Sequence, residues 1–482
     1  MPPAALDRFV QRVTSIQYHP YHLVVVPVLV GLVRAALEAL VGYRAQTPIH
    51  AFTSVLFYLV VQLLLLGVVS LATGRRWREI AGAVTVGLVL GWVPPLLEWV
   101  AFAQPGRAFR YLNEFRWHFV APYQSVWESV GIWLAIVFAG GFTALVTRRL
   151  WRALAALAGA WVAMQVAGWA CPAAGQLLAV DRGLRGVSVA NLSNLVLLLV
   201  ALVVYLALNP GTLLPSLRRI NHCLPWGLVA MLGARLTGQF WTVAALRGVI
   251  MTLGFLLIVF TNDYFDRGQD AARGGQARPI AAEDMVVATW FEVLLCLWVG
   301  FWDPRGIMFV AIFFVLALLY HHPALRLKRL FCAAYTIEGA AATCCLLFGL
   351  GSVHNSTWAR AFAALTFGGF ALGSMFKDYK DIDQDRADKV GTVYTRYLAR
   401  GRSLRGIHLV VSVALALGML VPPLWLLTRG APLGHALLLF ALAPVMLLCL
   451  LRGADRRAVV ERSFWCLSAY LAAFVAVAPQ LG

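Results

Sequence analysis

Two short stretches of the chain carry acidic residues at the spacing of an α-helix. In residues 262–270 polar residues follow one another at i, i+4 and i+8, and in residues 378–385 they follow at i, i+3 and i+7. On a continuous helix each set lies along one face. The first set is Asn262, Asp266 and Asp270 with Asp263 beside them, and the second is Asp378, Asp381 and Asp385.

Such a concentration of carboxylates calls for a bound cation, because like charges one turn apart repel each other. Oxygen ligands suit magnesium, which takes one or two carboxylates and leaves its other positions to water and phosphate oxygens. A diphosphate bridged by magnesium becomes a good leaving group. Three basic residues are candidates for direct contacts to its phosphates, namely Arg278, Lys328 and Lys377.

A plainer interpretation is that the two stretches are solvated acidic loops beside membrane spans, where charges are common. Two matched sets on one side of the membrane favour the chemical interpretation, because ionised side chains near hydrocarbon are costly and rare. His321 and His322 fit either an interfacial position or a contact with substrate. The same two interpretations apply to the aromatic residues beside the acidic sets, which are Tyr264, Phe265, Phe376 and Tyr379.

The elements that must position these residues are membrane helices. The chain of 482 residues is 61% hydrophobic and 13% charged, with a mean hydropathy of +0.77, which is too apolar for a soluble core. Its apolar stretches are long enough to cross a bilayer as helices, and they lack the alternation of barrel strands. The net charge of +18 comes from short basic clusters between these stretches, so it orients the chain and does not indicate nucleic acid binding. The eight cysteines lack metal-ligand or redox spacing and are interpreted as packing residues.

The predicted fold is an all-α integral membrane protein in two parts. Residues 1–210 form an N-terminal domain of six spans, residues 211–223 a cytoplasmic linker, and residues 224–482 a nine-helix bundle. The start of the chain lacks a signal-peptide pattern and is predicted to form an amphipathic interfacial helix. The predicted spans are 23–41, 51–73, 80–103, 127–147, 153–171 and 187–208, then 224–241, 244–262, 286–302, 306–321, 331–352, 359–377, 406–428, 432–451 and 462–480.

Basic residues assign both acidic sets to the cytoplasmic side. In the nine-helix part, the loops after the second, fourth, sixth and eighth spans carry most of the lysine and arginine, whereas the opposite loops hold isolated residues such as Arg305 and Arg429. The positive-inside rule places the basic loops in the cytoplasm. We therefore expect a multi-pass protein of a prokaryotic plasma membrane, with its site facing the cytoplasm.

Three motifs stand in order within residues 222–482. Residues 262–270 read NDxxDxxxD and are followed by Arg-Pro-Ile at 278–280, residues 320–329 read YHHPALRLKR, and residues 378–385 read DxxDxxxD ahead of Gly-Thr at 391–392. In this order they resemble the motifs of the UbiA superfamily of intramembrane prenyltransferases. The resemblance covers a little over half of the chain, and the N-terminal part resembles no family.

The resemblance implies a magnesium-dependent transferase. The implied reaction ionises a polyprenyl or other allylic prenyl diphosphate and transfers the prenyl group to a lipid-soluble or aromatic acceptor. Residues 281–284 read Ala-Ala-Glu-Asp where the family carries a Ser-Gly or Ala-Gly pair, so the substrates stay open. The implied roles are catalysis for Asp263, Asp266, Asp378 and Asp381, diphosphate binding for Arg278, Lys328, Lys377 and Tyr320, and one magnesium for each acidic set, held by Asn262, Asp263, Asp266 and Asp270 and by Asp378, Asp381 and Asp385.

Two other functions stay open on the sequence. In an intramembrane terpene cyclase the substrate's own double bond would capture the cation, and a membrane scaffold or partner-binding protein would keep the catalytic half as a relic. In the N-terminal part, Glu38, Glu98, Glu128 and His118 lie in or near spans but form no spaced set, so we expect them to pair between helices or to lie just outside the hydrocarbon. That part is a candidate for contacts with membrane lipids, a protein partner or a second copy of the chain.

Overall fold

The computed structural model describes residues 18–19, 22–40, 47–97, 100, 115, 118–119, 126–184, 186–211, 219–272, 280–322, 325, 327, 330–351, 356–387, 390–453 and 455–478, without the side chains of residues 126 and 267–272. Throughout these ranges the regular elements are helices, and twelve are long and apolar enough to cross a membrane. The predicted all-α membrane fold is thereby confirmed. The chain divides into unit 1, Met1–Leu213 with Ala281–Leu294, and unit 2, Leu214–Ile280 with Leu295–Gly482.

The helices of unit 1 fall where the six apolar stretches of the N-terminal part predict them. Helix α3 continues through a 3₁₀ turn to Leu97, and α5 continues through a π-helical turn to Ala179. The helices are α1 (Val25–Leu40), α2 (Pro48–Thr73), α3 (Trp77–Val89), α4 (Val126–Thr147), α5 (Leu150–Gln165) and α6 (Val189–Leu208).

A cluster of charged side chains is buried within unit 1. Arg34 Nε on α1 donates to Glu38 Oε1 at 2.6 Å, Arg34 Nη2 contacts Glu128 on α4, and Arg34 Nη1 donates to the Gly91 carbonyl at 2.5 Å. The two carboxylates and the guanidinium are at most 4% exposed. Pairing offsets part of the cost of removing these charges from water. Glu128 on α4 pairs with Arg34 on α1, as predicted for pairing between helices, whereas Glu38 pairs with Arg34 within α1 and Glu98 lies outside the described residues.

Unit 1 also contains the beginning of helix α9 (Ala282–Trp302), where the sequence departs from the family pattern. Asp284, 4% exposed, accepts a hydrogen bond from the backbone N–H of Ala281 at 2.9 Å, which is the reciprocal half of a capping box. The Tyr205 hydroxyl on α6 donates to the other carboxylate oxygen of Asp284. The aspartate of the Ala-Ala-Glu-Asp sequence thus caps the helix that it begins.

The nine spans predicted for the C-terminal part correspond to ten helices, because the span predicted at 406–428 is divided between two. Two short helices, Ile382–Ala387 and Val393–Ala399, match no predicted span. Two of the ten, α7 (Ile220–Leu236) and α11 (Phe331–Leu350), approach closely at Gly349, where a Cβ atom would lie 2.2 Å from the carbonyl oxygen of Ala230. The helices after α9 are α10 (Gly306–His321), α11 (Phe331–Leu350), α12 (Thr357–Lys377), α13 (Ile382–Ala387), α14 (Val393–Ala399), α15 (Leu404–Gly418), α16 (Val421–Thr428), α17 (Leu433–Leu451) and α18 (Arg456–Val477), and those before it are α7 (Ile220–Leu236) and α8 (Trp241–Ala272).

The two acidic sets lie at the ends of α8 and α12, in different local structures. Helix α8 continues ten residues beyond the predicted span, so the first set lies on a continuous helix, as predicted. The single continuous helix predicted for the second set is wrong, because α12 ends at Lys377, and a 3₁₀ turn and a further turn at Asp381 precede α13. Aspartate side chains favour such turns, since they compete with the helix for backbone hydrogen bonds.

Candidate functional site

The first acidic set begins with two buried or half-buried side chains on α8. Asp263 is 6% exposed, and its Oδ1 accepts a hydrogen bond from Arg219 Nη1 at 2.5 Å, just before α7 begins. The amide oxygen of Asn262 is buried and has no hydrogen-bond partner among the described residues. Asp266 is half-buried, and the side chain of Asp270 lies outside the described ones. One carboxylate is therefore held in place by a cation, and among the described residues the amide oxygen of the preceding residue has no partner.

The second acidic set is fixed by a tyrosine from α11. The Tyr335 hydroxyl donates to Asp378 Oδ2 at 2.7 Å and accepts a hydrogen bond from the backbone N–H of Val393 at 3.0 Å. Tyr335 is 5% exposed, so this hydroxyl ties the end of α12 to the start of α14 in a setting with little water. Asp381 and Asp385 are half-buried, and the backbone N–H of Asp385 donates to the Asp381 carbonyl at 2.8 Å.

An aromatic stack packs beside the second acidic set. The rings of Tyr379 and His408 are 3.7 Å apart and 14° from parallel, and Phe376 and Tyr394 lie against the same two rings. Burial raises the pKa of the Tyr394 hydroxyl above its usual value, so this phenol stays protonated at neutral pH. The stack gives Tyr379 and Phe376 a packing role, and of these two only Phe376 also lines the cavity described below.

Lys377, the last residue of α12, has its partners on two other helices. Its ammonium contacts the carboxylate of Glu338 on α11, and it lies 3.3 Å from the hydroxyl of Tyr320 on α10. The side chains of Lys377 and Glu338 are 27% and 17% exposed. The predicted phosphate contacts Lys377 and Tyr320 are thus brought together, with a carboxylate that the sequence analysis did not single out.

A cavity of about 340 Å³ lies within unit 2. Its walls come from α7, α11, α12, α15, α16, α17 and α18, and those on α12 run from Phe362 to Lys377, about 22 Å at 1.5 Å per residue. Trp226, Phe370 and Phe464 contribute aromatic rings. Glu338 and Lys377 are the only charged residues among the described ones that line it. The cavity is an apolar chamber with one charged end.

Two of the predicted site residues, Arg278 and Lys328, lie outside the described residues. Among the described residues, no three His, Cys, Asp or Glu side chains lie close enough together to hold a metal ion. Magnesium needs only one or two protein carboxylates, with phosphate and water completing its shell. The free amide oxygen of Asn262, adjacent in sequence to the fixed carboxylate of Asp263, fits that requirement.

Three residues of this region were missed from the sequence. Arg219 and Tyr335 lie 44 and 43 positions from the aspartates that they contact, so no local spacing links them. Glu338 carried a signal, because a carboxylate within an apolar stretch is a functional candidate by default. It lies three residues after Tyr335, on the same face of α11.

Comparisons with known proteins bear on the C-terminal half. The family model of the UbiA prenyltransferase family matches residues 223–471, which include both acidic sets and most of the residues lining the cavity. No curated protein and no solved structure matches the chain.

Proposed function

Because the chain belongs to the UbiA prenyltransferase family, we propose that it binds a prenyl diphosphate with magnesium, ionises it, and transfers the prenyl group to a lipid-soluble acceptor. The observation that carries this proposal is the apolar cavity whose charged end is formed by Glu338 and Lys377. Lys377 directly precedes Asp378 in the sequence. A prenyl diphosphate has the matching shape of a long apolar chain with one highly charged end.

Two sets of residues are proposed to hold magnesium, which supplies positive charge against the leaving diphosphate when bound. Arg219 orients the side chain of Asp263, and Tyr335 orients that of Asp378, before any metal binds. Orientation before binding lowers the entropy that must be lost when the ligands assemble. The proposed ligands are Asn262, Asp263, Asp266 and Asp270 in one set and Asp378, Asp381 and Asp385 in the other.

The diphosphate is proposed to bind basic residues beside these sets. Lys377 reaches this position from the end of α12, with Tyr320 next to its ammonium. Ammonium and guanidinium groups make the strong, charge-assisted hydrogen bonds that phosphate oxygens accept. The proposed contacts are Arg278, Lys328, Lys377 and Tyr320, and the proposed catalytic carboxylates are Asp263, Asp266, Asp378 and Asp381.

The prenyl chain is proposed to lie in the cavity, where the apolar walls exclude water from the reacting carbon. Aromatic faces such as those of Trp226 and Phe370 attract cations and stabilise positive charge that develops beside them. Exclusion of water protects an allylic cation from hydrolysis until an acceptor captures it. The same walls suit a terpene cyclase, in which a double bond of the chain itself is the acceptor.

The sidedness of the site is part of the proposal. Basic residues concentrate in the loops that share a side with both acidic sets, which supports a cytoplasmic site by the positive-inside rule. A soluble diphosphate made in the cytoplasm would then reach the site without crossing the membrane. A prokaryotic plasma membrane is the proposed location.

Purified full-length protein in lipid nanodiscs tests the proposal. With magnesium and prenyl diphosphates of several lengths, we expect diphosphate release that stops when EDTA removes the metal. Asp266→Ala and Asp378→Ala are expected to abolish release, whereas Asp383→Ala, an exposed aspartate paired with Arg456 at 3.0 Å, is the matched control that retains it. No release from any donor, with or without added acceptors, would refute the proposed function. Release without acceptor, with a cyclised product, would identify a cyclase.

A further inference from the structure

Glu338 lies at a boundary between two environments. Its carboxylate is the only acidic group among the described residues that line the cavity, where every other lining residue except Lys377 is uncharged. One turn earlier on α11, Tyr335 holds Asp378 of the second acidic set. Helix α11 therefore presents one residue to the proposed metal ligands and the next residue on that face to the cavity.

The partner of Glu338 is a residue with a second proposed use. Lys377 contacts Glu338 Oε1, and Lys377 is also a proposed contact of the diphosphate. A diphosphate carries more negative charge than one carboxylate, so it competes effectively for the ammonium. When Lys377 turns to the diphosphate, the carboxylate of Glu338 remains in an apolar chamber and needs a new hydrogen-bond donor, because a buried charge without a partner is unfavourable.

We propose that Glu338 binds the hydroxyl group of the acceptor and takes its proton during transfer. The inference rests on the proposed function, and it narrows the acceptor to an apolar molecule that carries a hydroxyl. The bond between the first prenyl carbon and the diphosphate oxygen breaks, and its electron pair leaves with the diphosphate. A lone pair of the acceptor oxygen forms the new carbon–oxygen bond, and the hydroxyl proton passes to the Glu338 carboxylate.

This assignment gives the paired side chains Lys377 and Glu338 different roles in the reaction. Lys377 and the acidic sets act on the donor, whereas Glu338 acts on the acceptor. Loss of the Glu338 carboxylate should therefore slow transfer while donor binding remains. A purely structural role, in which Glu338 only holds Lys377, would instead weaken donor binding.

The test uses full-length protein in nanodiscs with magnesium and geranylgeranyl diphosphate as the donor probe. The acceptor probes are 4-octylphenol and 1-octanol, with 4-octylanisole as the matched probe that has no hydroxyl proton. We expect the wild type to form an ether with at least one hydroxyl probe and none with the anisole. Glu338→Gln should lower kcat for transfer by about 100-fold or more, the usual contribution of a general base, with the KM for the donor unchanged. Glu338→Asp should give an intermediate rate.

The control variant is Asp303→Asn, which neutralises a comparable acid in unit 2. Asp303 pairs with Arg247 at 2.9 Å and its side chain is 17% exposed, the same as Glu338, but it does not line the cavity. This variant should transfer at the wild-type rate, and thermal unfolding of each variant shows whether it is folded. If Glu338→Gln does not fold, the comparison of Glu338→Asp with the wild type decides.

Four outcomes would overturn the inference. They are transfer by Glu338→Gln at the wild-type rate, a Glu338→Asp variant that folds and transfers as the wild type does, a defect confined to the donor KM, and diphosphate release by the wild type without transfer to either hydroxyl probe. In each of these cases the prenyl diphosphate activity itself would stand. Absence of diphosphate release by the wild type would refute the proposed function, and the inference with it.

Discussion

Replacement of Tyr335 by phenylalanine is expected to weaken the response of the protein to magnesium. The substitution keeps the ring and removes one hydroxyl, which donates to Asp378 Oδ2 at 2.7 Å. A hydrogen bond to a charged group contributes about 1.5 to 3 kcal/mol, and each 1.4 kcal/mol is about tenfold. If Asp378 binds magnesium in the orientation that Tyr335 imposes, the half-saturating magnesium concentration should rise by about 10- to 150-fold.

The same hydroxyl also accepts a hydrogen bond from the backbone N–H of Val393 at 3.0 Å. The phenylalanine variant leaves that buried N–H without this partner, at a cost of about 1 to 3 kcal/mol in the free energy of unfolding. The assay is therefore diphosphate release against magnesium concentration, measured together with thermal unfolding. Activity at saturating magnesium should recover most of the wild-type value.

The matched control is Tyr58→Phe in unit 1, where the lost hydroxyl is 3.4 Å from the Gly91 carbonyl and far in sequence from both acidic sets. This variant should keep the wild-type magnesium dependence. An unchanged magnesium dependence in Tyr335→Phe, with the protein folded, would refute the role of this hydroxyl in orienting Asp378. A lower activity that excess magnesium does not restore would point to a structural effect only.

Three further predictions concern other charges and the cavity wall. Arg219→Ala removes the guanidinium that pairs with Asp263, 6% exposed, so the free energy of unfolding should fall by up to about 3 to 5 kcal/mol in chemical denaturation, and an unchanged value would show that this ion pair does not stabilise the fold. Gly373→Phe should shift donor preference to shorter prenyl chains in competition assays, because a Cβ there meets nothing within 4 Å and the added ring fills the cavity, whereas an unaltered preference would place the chain elsewhere. Arg34→Leu removes the guanidinium that pairs with two buried carboxylates in unit 1, so it should lower the unfolding temperature, and replacing both carboxylates with glutamine in the same variant should restore it. An unfolding temperature that Arg34→Leu does not change would contradict a stabilising role for the cluster.

The helices were predictable from the sequence because one physical signal defines them. A span must be about 20 apolar residues long to cross the hydrocarbon region, so a continuous apolar stretch of the sequence identifies its position. The ends were less predictable. Helix α8 runs on to Ala272 through polar residues, whereas α12 stops at Lys377, where short acidic side chains and the bond from Tyr335 to Asp378 favour a turn.

The residues of the candidate site were predictable in kind but not in their contacts. Spacing identified Asp263 and Asp378, because helical neighbours are three or four positions apart. The side chains that orient them lie more than 40 positions away, Arg219 just before α7 and Tyr335 on α11, and only the folded chain brings them near. The magnesium ligands and diphosphate contacts remain predictions, and Arg278 and Lys328 lie outside the described residues.

The buried charge cluster of unit 1 has a consequence for how the chain is made. Arg34 and Glu38 lie four positions apart on α1, so they emerge from the ribosome together and enter the bilayer as a neutral pair. Glu128 follows 94 positions later, which at about 5 to 20 residues per second is roughly 5 to 20 s of synthesis. The pair within α1 therefore neutralises its own charge in the bilayer before α4 is inserted, and the final cluster forms only when α1 packs against α4.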